Sequence, residues 1–169
     1  MSQSLYTERL PALSGDEHVP ELVLLHGWGM DSGIWSSVLP LLRSFSHVTL
    51  VDLPGFGRSQ QLADNRIENY LQVLAKVLPE TAVYLGFSLG GMLAVKIAQY
   101  FPARVSALVT ISSNARFVAD DNWPHAMDKK TFASFYQLTQ QQPEAAFKMF
   151  LALQARGCES ERKLLKQLI

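Results

Sequence analysis

Ser88 stands in the run Gly86-Phe87-Ser88-Leu89-Gly90-Gly91, with glycines two before and two after it, the arrangement a nucleophilic serine needs. At a sharp strand-to-helix turn the hydroxyl is thrust out of a sheet, and the small flanking residues let neighbouring backbone approach without a Cβ clash. The context fits: the apolar run Ala82-Val83-Tyr84-Leu85 precedes the turn, and a segment apolar nearly all round, Gly90 to Tyr100, follows it. With Gly and Ser each about 7% of residues, the pattern arises by accident only about 0.06 times in a chain of this size.

A second group of residues, His26-Gly27-Trp28-Gly29, follows the apolar run Leu22-Val23-Leu24-Leu25. Acyl transfer develops an oxyanion that two fixed N–H groups must meet, one from the residue after the nucleophile and one from a neighbouring strand-end loop. Those donors would be the backbones of Leu89 and Trp28, each worth about 3 kcal/mol in the transition state. The Trp28 side chain would also wall the pocket. A third group, Val51-Asp52-Leu53-Pro54-Gly55-Phe56-Gly57-Arg58-Ser59, has no phosphate-loop spacing and reads as scaffold, with Asp52 a hydrogen-bonding residue at a strand end.

These groups need strands and helices to position them. Leu22–Leu25, Val48-Thr49-Leu50-Val51, Ala82–Leu85 and Val105–Ile111 are continuous rather than alternating apolar runs, as expected of strands buried on both faces of a parallel sheet. Ile67, Tyr70, Leu71, Leu74, Val77 and Leu78 recur at helical spacing between them. After Ile111 the strand-like runs stop. Phe132, Phe135 and Tyr136 share one helical face; Pro143 opens another helix carrying Phe147, Phe150, Leu151 and Gln154; Leu164, Leu165, Leu168 and Ile169 form a last stripe. The expected organisation is an α/β core over residues 1–114, a parallel sheet with helices on both faces, followed by a helical region over 115–169 packed where ligands bind, at the carboxyl ends of the strands.

The runs L-V-L-L-H-G-W-G, V-D-L-P-G-F-G-R-S, G-F-S-L-G-G and Phe150-Leu151-Ala152-Leu153-Gln154 together resemble the α/β-hydrolase superfamily, and within it the pimeloyl-acyl-carrier-protein methyl ester esterases of biotin synthesis. The first three are shared widely among α/β hydrolases; the fourth, on a lid helix, narrows the family. The resemblance implies a carboxylesterase with Ser88 as nucleophile and substrate contacts at Trp28, Leu89, Phe150, Leu151, Ala152, Leu153 and Gln154. It implies no metal or organic cofactor. It also implies an acylated acyl carrier protein as substrate, received by basic residues of the lid. Arg162 and Lys166 match such positions, whereas Ala145 and Met149 stand where further arginines are expected. Without the resemblance, the small positive surplus near the C-terminus is equally a solvated helix face, and Phe147 and Phe150 are more simply packing residues.

Composition narrows the alternatives. Fifteen basic residues balance fifteen acidic ones, so no long-range field attracts nucleic acid or anionic lipid. The single cysteine, Cys158, makes no internal disulfide, and no run reaches roughly 18 apolar residues. With no basic, apolar leader in Met1–Arg9, the expectation is a cytoplasmic, unanchored protein.

The general base is the missing part. Only His125 follows Ser88, and its pairing with Asp120 or Asp121 places acid and base within five residues beside Trp123-Pro124, with no strand between. His18 and His47 lie on the wrong edge, and His26 belongs to the oxyanion loop as an ordering residue. The resemblance puts the family's Asp and His beyond the lid, so the chain is expected to be a fragment of about two thirds of the enzyme, truncated after the lid, or to receive its catalytic half from elsewhere. A complete enzyme would be a monomer; a fragment would expose an apolar strand edge and associate. Other readings on the same scaffold are a C–C hydrolase, a menaquinone-pathway lyase, or a non-catalytic binding module.

Overall fold

The computed structural model describes residues 5–157 and residue 160, and the chain forms two compact units, Met1–Ala115 and Arg116–Ile169. In the first unit, β1 (Thr7–Leu10), β2 (Glu21–Leu25), β3 (His47–Val51), β4 (Ala82–Phe87) and β5 (Val105–Ile111) form one sheet in the order β1-β3-β2-β4-β5. The last four strands run parallel to one another, with Leu25 opposite both Val51 and Gly86, and Phe87 opposite Ile111. The four expected parallel strands thus gain a fifth, β1, which lies antiparallel on β3. Its sequence, Thr-Glu-Arg-Leu, gives no apolar signal because it is a charged edge held by backbone pairing.

Side chains alternate between two cores. Val23, Leu25, Val51 and Tyr84 point to one face, under α2 (Ile67–Val77) and α3 (Leu89–Tyr100), where they meet Leu71, Leu74, Leu93, Ala94 and Ile97. Leu22, Leu24, Val48 and Leu50 point to the other, against Trp35 of a 3-10 turn (Ser32–Trp35) and Leu39 and Leu42 of the short helix α1 (Leu39–Leu42). Helix α2 buries Leu71 and Leu74 while Ile67 and Val77 at its ends stay exposed. Its last carbonyls receive the Arg104 guanidinium, which donates to Ala75 O at 2.6 Å, a cation placed where the helix dipole is negative.

Burial on both faces holds for Leu22–Leu25 and for β3, but not for the remaining strands. In β4, buried Ala82, Tyr84 and Gly86 alternate with half-exposed Val83, Leu85 and Phe87. The run Val105–Ile111 is the sheet edge, with Leu108, Val109 and Ile111 about 40% exposed. A continuous apolar run marks low polarity on both faces; it does not say that another element covers them.

The second unit contains α4 (Lys129–Gln141) and α5 (Pro143–Ala155). Asp128 caps α4 by accepting from Thr131 N at 2.9 Å, and Pro143 takes the first position of α5, where the missing N–H costs nothing. Phe132 stacks on Tyr136 and meets the edge of Phe117, whereas Phe135 turns instead to Phe150 on α5. Among the described residues, no helix is long and apolar enough to cross a membrane. Cys158 and the stripe Leu164, Leu165, Leu168 and Ile169 lie outside the described residues.

Tyr84 is fully buried, and its hydroxyl has no hydrogen-bond partner among the described residues. Tyr84→Phe is therefore expected to leave stability unchanged or raise it by about 1 kcal/mol, whereas Leu74→Ala, which opens a cavity in the same core, costs about 2–5 kcal/mol. Urea denaturation of the two variants checks both.

Candidate active site

Ser88 follows β4 directly and caps α3 with φ 51° and ψ −114°. Positive φ is rare for a residue with a side chain and costs on the order of 1–3 kcal/mol, so surrounding structure must enforce it. The Ser88 amide donates to Ile111 O at 2.9 Å. Its carbonyl accepts from Gly91 N at 3.0 Å, from Met92 N at 3.2 Å and from the Ser113 hydroxyl at 2.9 Å.

The glycines around it are required by close approach. A Cβ on Gly86 would stand 2.4 Å from the Gly90 carbonyl, and one on Gly90 would stand 2.1 Å from the carbonyl oxygen of Leu25. The start of α3 therefore rests on the end of β2, where the loop His26-Gly27-Trp28-Gly29 begins. A Cβ on Gly27 would meet the Phe87 ring at 2.9 Å, so the residue before Ser88 packs on the second loop. The amide of Leu89 lies in the first turn of α3, where backbone N–H groups have no partner within the helix and the dipole favours negative charge. Trp28 is half-buried in the loop beside it.

His26 is fully buried and both ring nitrogens are engaged. Leu53 N donates to Nε2 at 2.8 Å, so Nε2 is unprotonated, and the Nδ1 proton is left for the Gly27 carbonyl, also at 2.8 Å. Burial pushes the imidazole below its ordinary range, against the opposing pull of the Gly27 bond. It is a tether between two loops rather than a base. Asp52, fully buried, makes a second tether: its carboxylate accepts from Ser32 N at 2.9 Å and from Arg58 N and Nε at 3.0 and 2.8 Å. Burial alone would raise the Asp52 carboxyl, but these hydrogen bonds from Arg58 and Ser32 outweigh it and hold the group well below the usual carboxylate range. The Arg58 guanidinium lies over the Tyr6 ring, 3.3 Å from its centroid.

Two of the other histidines lie at the far end of the sheet. His47 opens β3, at the end of the parallel strands opposite Ser88, and its Nδ1 accepts from Ala12 N at 3.0 Å. His18 precedes β2 at that same end, and His125 is in the second unit. Among the described residues, no cluster of His, Cys, Asp and Glu could hold a metal ion.

Ser88, Leu89 and Trp28 thus gather at one end of β2 and β4. The run Phe150–Gln154 lies in the second unit, and α5 distributes it around the helix. Phe150 and Leu153 line a groove of about 640 Å³ with Phe117, Met127 and Leu138; Leu151 is buried; Ala152 and Gln154 are exposed. Arg162 and Lys166 lie outside the described residues. Sequence reasoning missed Ser112 and Ser113, where the signal was a polar pair at the end of an apolar strand. Among the described residues, Ser112 is with Ser88 the other non-glycine residue of positive φ, at 48°.

A sequence profile of the alpha/beta hydrolase fold matches residues 20–168. Among curated relatives, the biotin biosynthesis bifunctional protein BioHC of Cellvibrio japonicus is 48% identical over 149 residues, 88% of this chain and 30% of its own. The pimeloyl-acyl-carrier protein methyl ester esterase of Photobacterium profundum is 40% identical over 158 residues, 88% of this chain and 59% of its own. The chain therefore spans between 30% and 59% of the length of these relatives. Two solved structures share the fold: an esterase from Exiguobacterium antarcticum (TM-score 0.76, 22% identity, covering 96% of this chain and 62% of that one) and a hydrolase from Oleispira antarctica (0.77, 19%, 96% and 61%).

Two outcomes test the packing of the site. Gly90→Ala forces a methyl group against the Leu25 carbonyl and is expected to cost more than about 3 kcal/mol in urea denaturation. The unfolded chain protonates His26 near pH ~6.5, above the depressed folded value, so folding stability declines as pH falls from about 6.5. His26→Gln flattens that slope in stability measured against pH.

Proposed function

Because the chain belongs to the alpha/beta hydrolase fold family, we propose that it carries the nucleophile and oxyanion-binding part of a serine carboxylesterase whose substrate is the methyl ester of a pimeloyl chain on acyl carrier protein. The observation that carries the reaction class is the strained backbone of Ser88 at the head of α3, with Leu89 and the Trp28 loop packed beside it. The substrate class rests on the names of the relatives that match 88% of the chain.

In this reading Ser88 Oγ attacks the ester carbonyl while a histidine takes its proton, and the tetrahedral oxyanion is met by the N–H groups of Leu89 and Trp28. Collapse expels methanol and leaves an acyl-enzyme; water, deprotonated by the same histidine, releases the acid and restores Ser88. Simple short-chain esters would follow the same course. That histidine is none of the three in residues 5–115, since His26 is committed to Gly27 and Leu53 while His18 and His47 lie at the opposite end of the sheet. Phe150, Leu151, Ala152, Leu153 and Gln154 are assigned to the acyl chain, and Arg162 and Lys166 to the acidic carrier. No cofactor enters the chemistry.

Intact mass after treatment with a fluorophosphonate, beside hydrolysis of a p-nitrophenyl ester, tests the nucleophile. Where the histidine is supplied, one adduct at Ser88 is expected, with Ser88→Ala losing turnover by about a thousandfold or more; turnover retained in Ser88→Ala overturns the nucleophile, and a chain that takes no label has the serine without its base. For the carrier, Arg162→Glu with Lys166→Glu should raise KM for the carrier-bound ester about tenfold, more at low salt, and leave the p-nitrophenyl ester unaffected.

A further inference from the structure

We infer that Ser113 is a positioning residue that aims the Leu89 oxyanion donor, an assignment that rests on the esterase reading above. Ser88 C=O and Leu89 N–H belong to one peptide unit, which is planar and trans, so fixing its oxygen fixes the direction of the N–H at the other side. The Ser113 hydroxyl donates to that oxygen at 2.9 Å.

Two backbone amides, Gly91 N and Met92 N, reach the same oxygen, but both come from within α3 and turn with it. Ser113 comes from a different strand end and ties the peptide to the sheet. Its position depends on Ser112, whose φ of 48° turns the chain immediately after β5. Ser88 and Ser112 are the two non-glycine residues of positive φ among those described, and they follow residues paired across β4 and β5, Phe87 and Ile111. Backbone strain of this kind persists where surrounding structure over-determines it, and here two adjacent strand ends carry it together. Gly91 is shaped to the contact: a Cβ there would stand 2.7 Å from both Cβ and Oγ of Ser113. The donor on the other side is likewise fixed through its carbonyl, the Gly27–Trp28 peptide being held by His26 Nδ1 of the same loop, whose Nε2 is anchored by Leu53 N.

Hydrogen exchange of the peptide covering residues 86–93 tests the assignment on the chain as it stands. Ser113→Ala is expected to speed exchange there at least about fivefold, while Ser106→Ala, an exposed hydroxyl on the same strand, leaves it unchanged. Ser113→Thr keeps a hydroxyl and is expected to restore protection. Where the wild-type chain takes the fluorophosphonate, Ser113→Ala should lower the saturating rate of labelling about tenfold with the half-saturating concentration unchanged, the split expected when a transition-state donor is misaimed. Exchange in Ser113→Ala within about twofold of wild type, or equal loosening in Ser113→Thr, overturns the assignment. A label on another residue, or ester turnover retained in Ser88→Ala, overturns the esterase reading instead, and exchange still decides the role of Ser113.

Discussion

A planar peptide points its carbonyl and its N–H in opposite directions, and the candidate site depends on two such planes being held still. Negative charge develops on the carbonyl oxygen as the barrier is crossed, so donors that had to reorient at that moment would contribute little. In the proposed site one holding bond comes from another strand end and the other from within the loop, where Leu53 N anchors the histidine in turn. His26 holds the plane ending at Trp28, and Ser113 the plane ending at Leu89. The strained backbone of Ser88 follows from the second plane, since a relaxed conformation there would turn the Leu89 amide elsewhere.

The scaffold around these planes is tied by buried polar groups rather than by apolar packing alone. Asp52 and His26 each fasten one strand-end loop to another, Asp52 by joining residues 32 and 58 and His26 by reaching Leu53. A buried carboxylate is tolerable because hydrogen bonds and a guanidinium surround it. A buried neutral imidazole is tolerable because both nitrogens are satisfied.

Much of this was legible in the sequence, and for local reasons. The turn at Ser88 announces itself because a short strand, a serine between glycines and an apolar helix are contiguous in the sequence. The central strands Leu22–Leu25 and Val48–Val51 are legible because burial on both faces selects apolar side chains, Thr49 being the one polar residue among them. What stayed hidden depends on partners distant in sequence. Strand β1 is made by backbone pairing across some forty residues, so its charged side chains give no hint of it. Ser113 lies 25 residues from the carbonyl it bonds, and a serine after a strand is common. The exposure of β5 was misread because apolar character reports suitability for burial, while burial itself requires a neighbour. The run Phe150–Gln154 looks like a unit when written as a line, but a helix turns its residues to different sides.

The contact between Gly27 and the Phe87 ring has an evolutionary corollary. Phe87 occupies one of the two variable positions of the nucleophile turn, a place where any residue would satisfy the motif. Here it is filled by a ring that covers the Cα of a glycine in another loop. Drift at either position is therefore conditional on the other: a lineage that replaces Phe87 with a small residue opens space for a side chain at 27, and one that enlarges 27 first must already have lost the ring. Across descendants of this sequence, positions 27 and 87 should covary although 60 residues separate them, and the covariation would trace the seam along which the Ser88 turn and the loop His26-Gly27-Trp28-Gly29 have been kept in register.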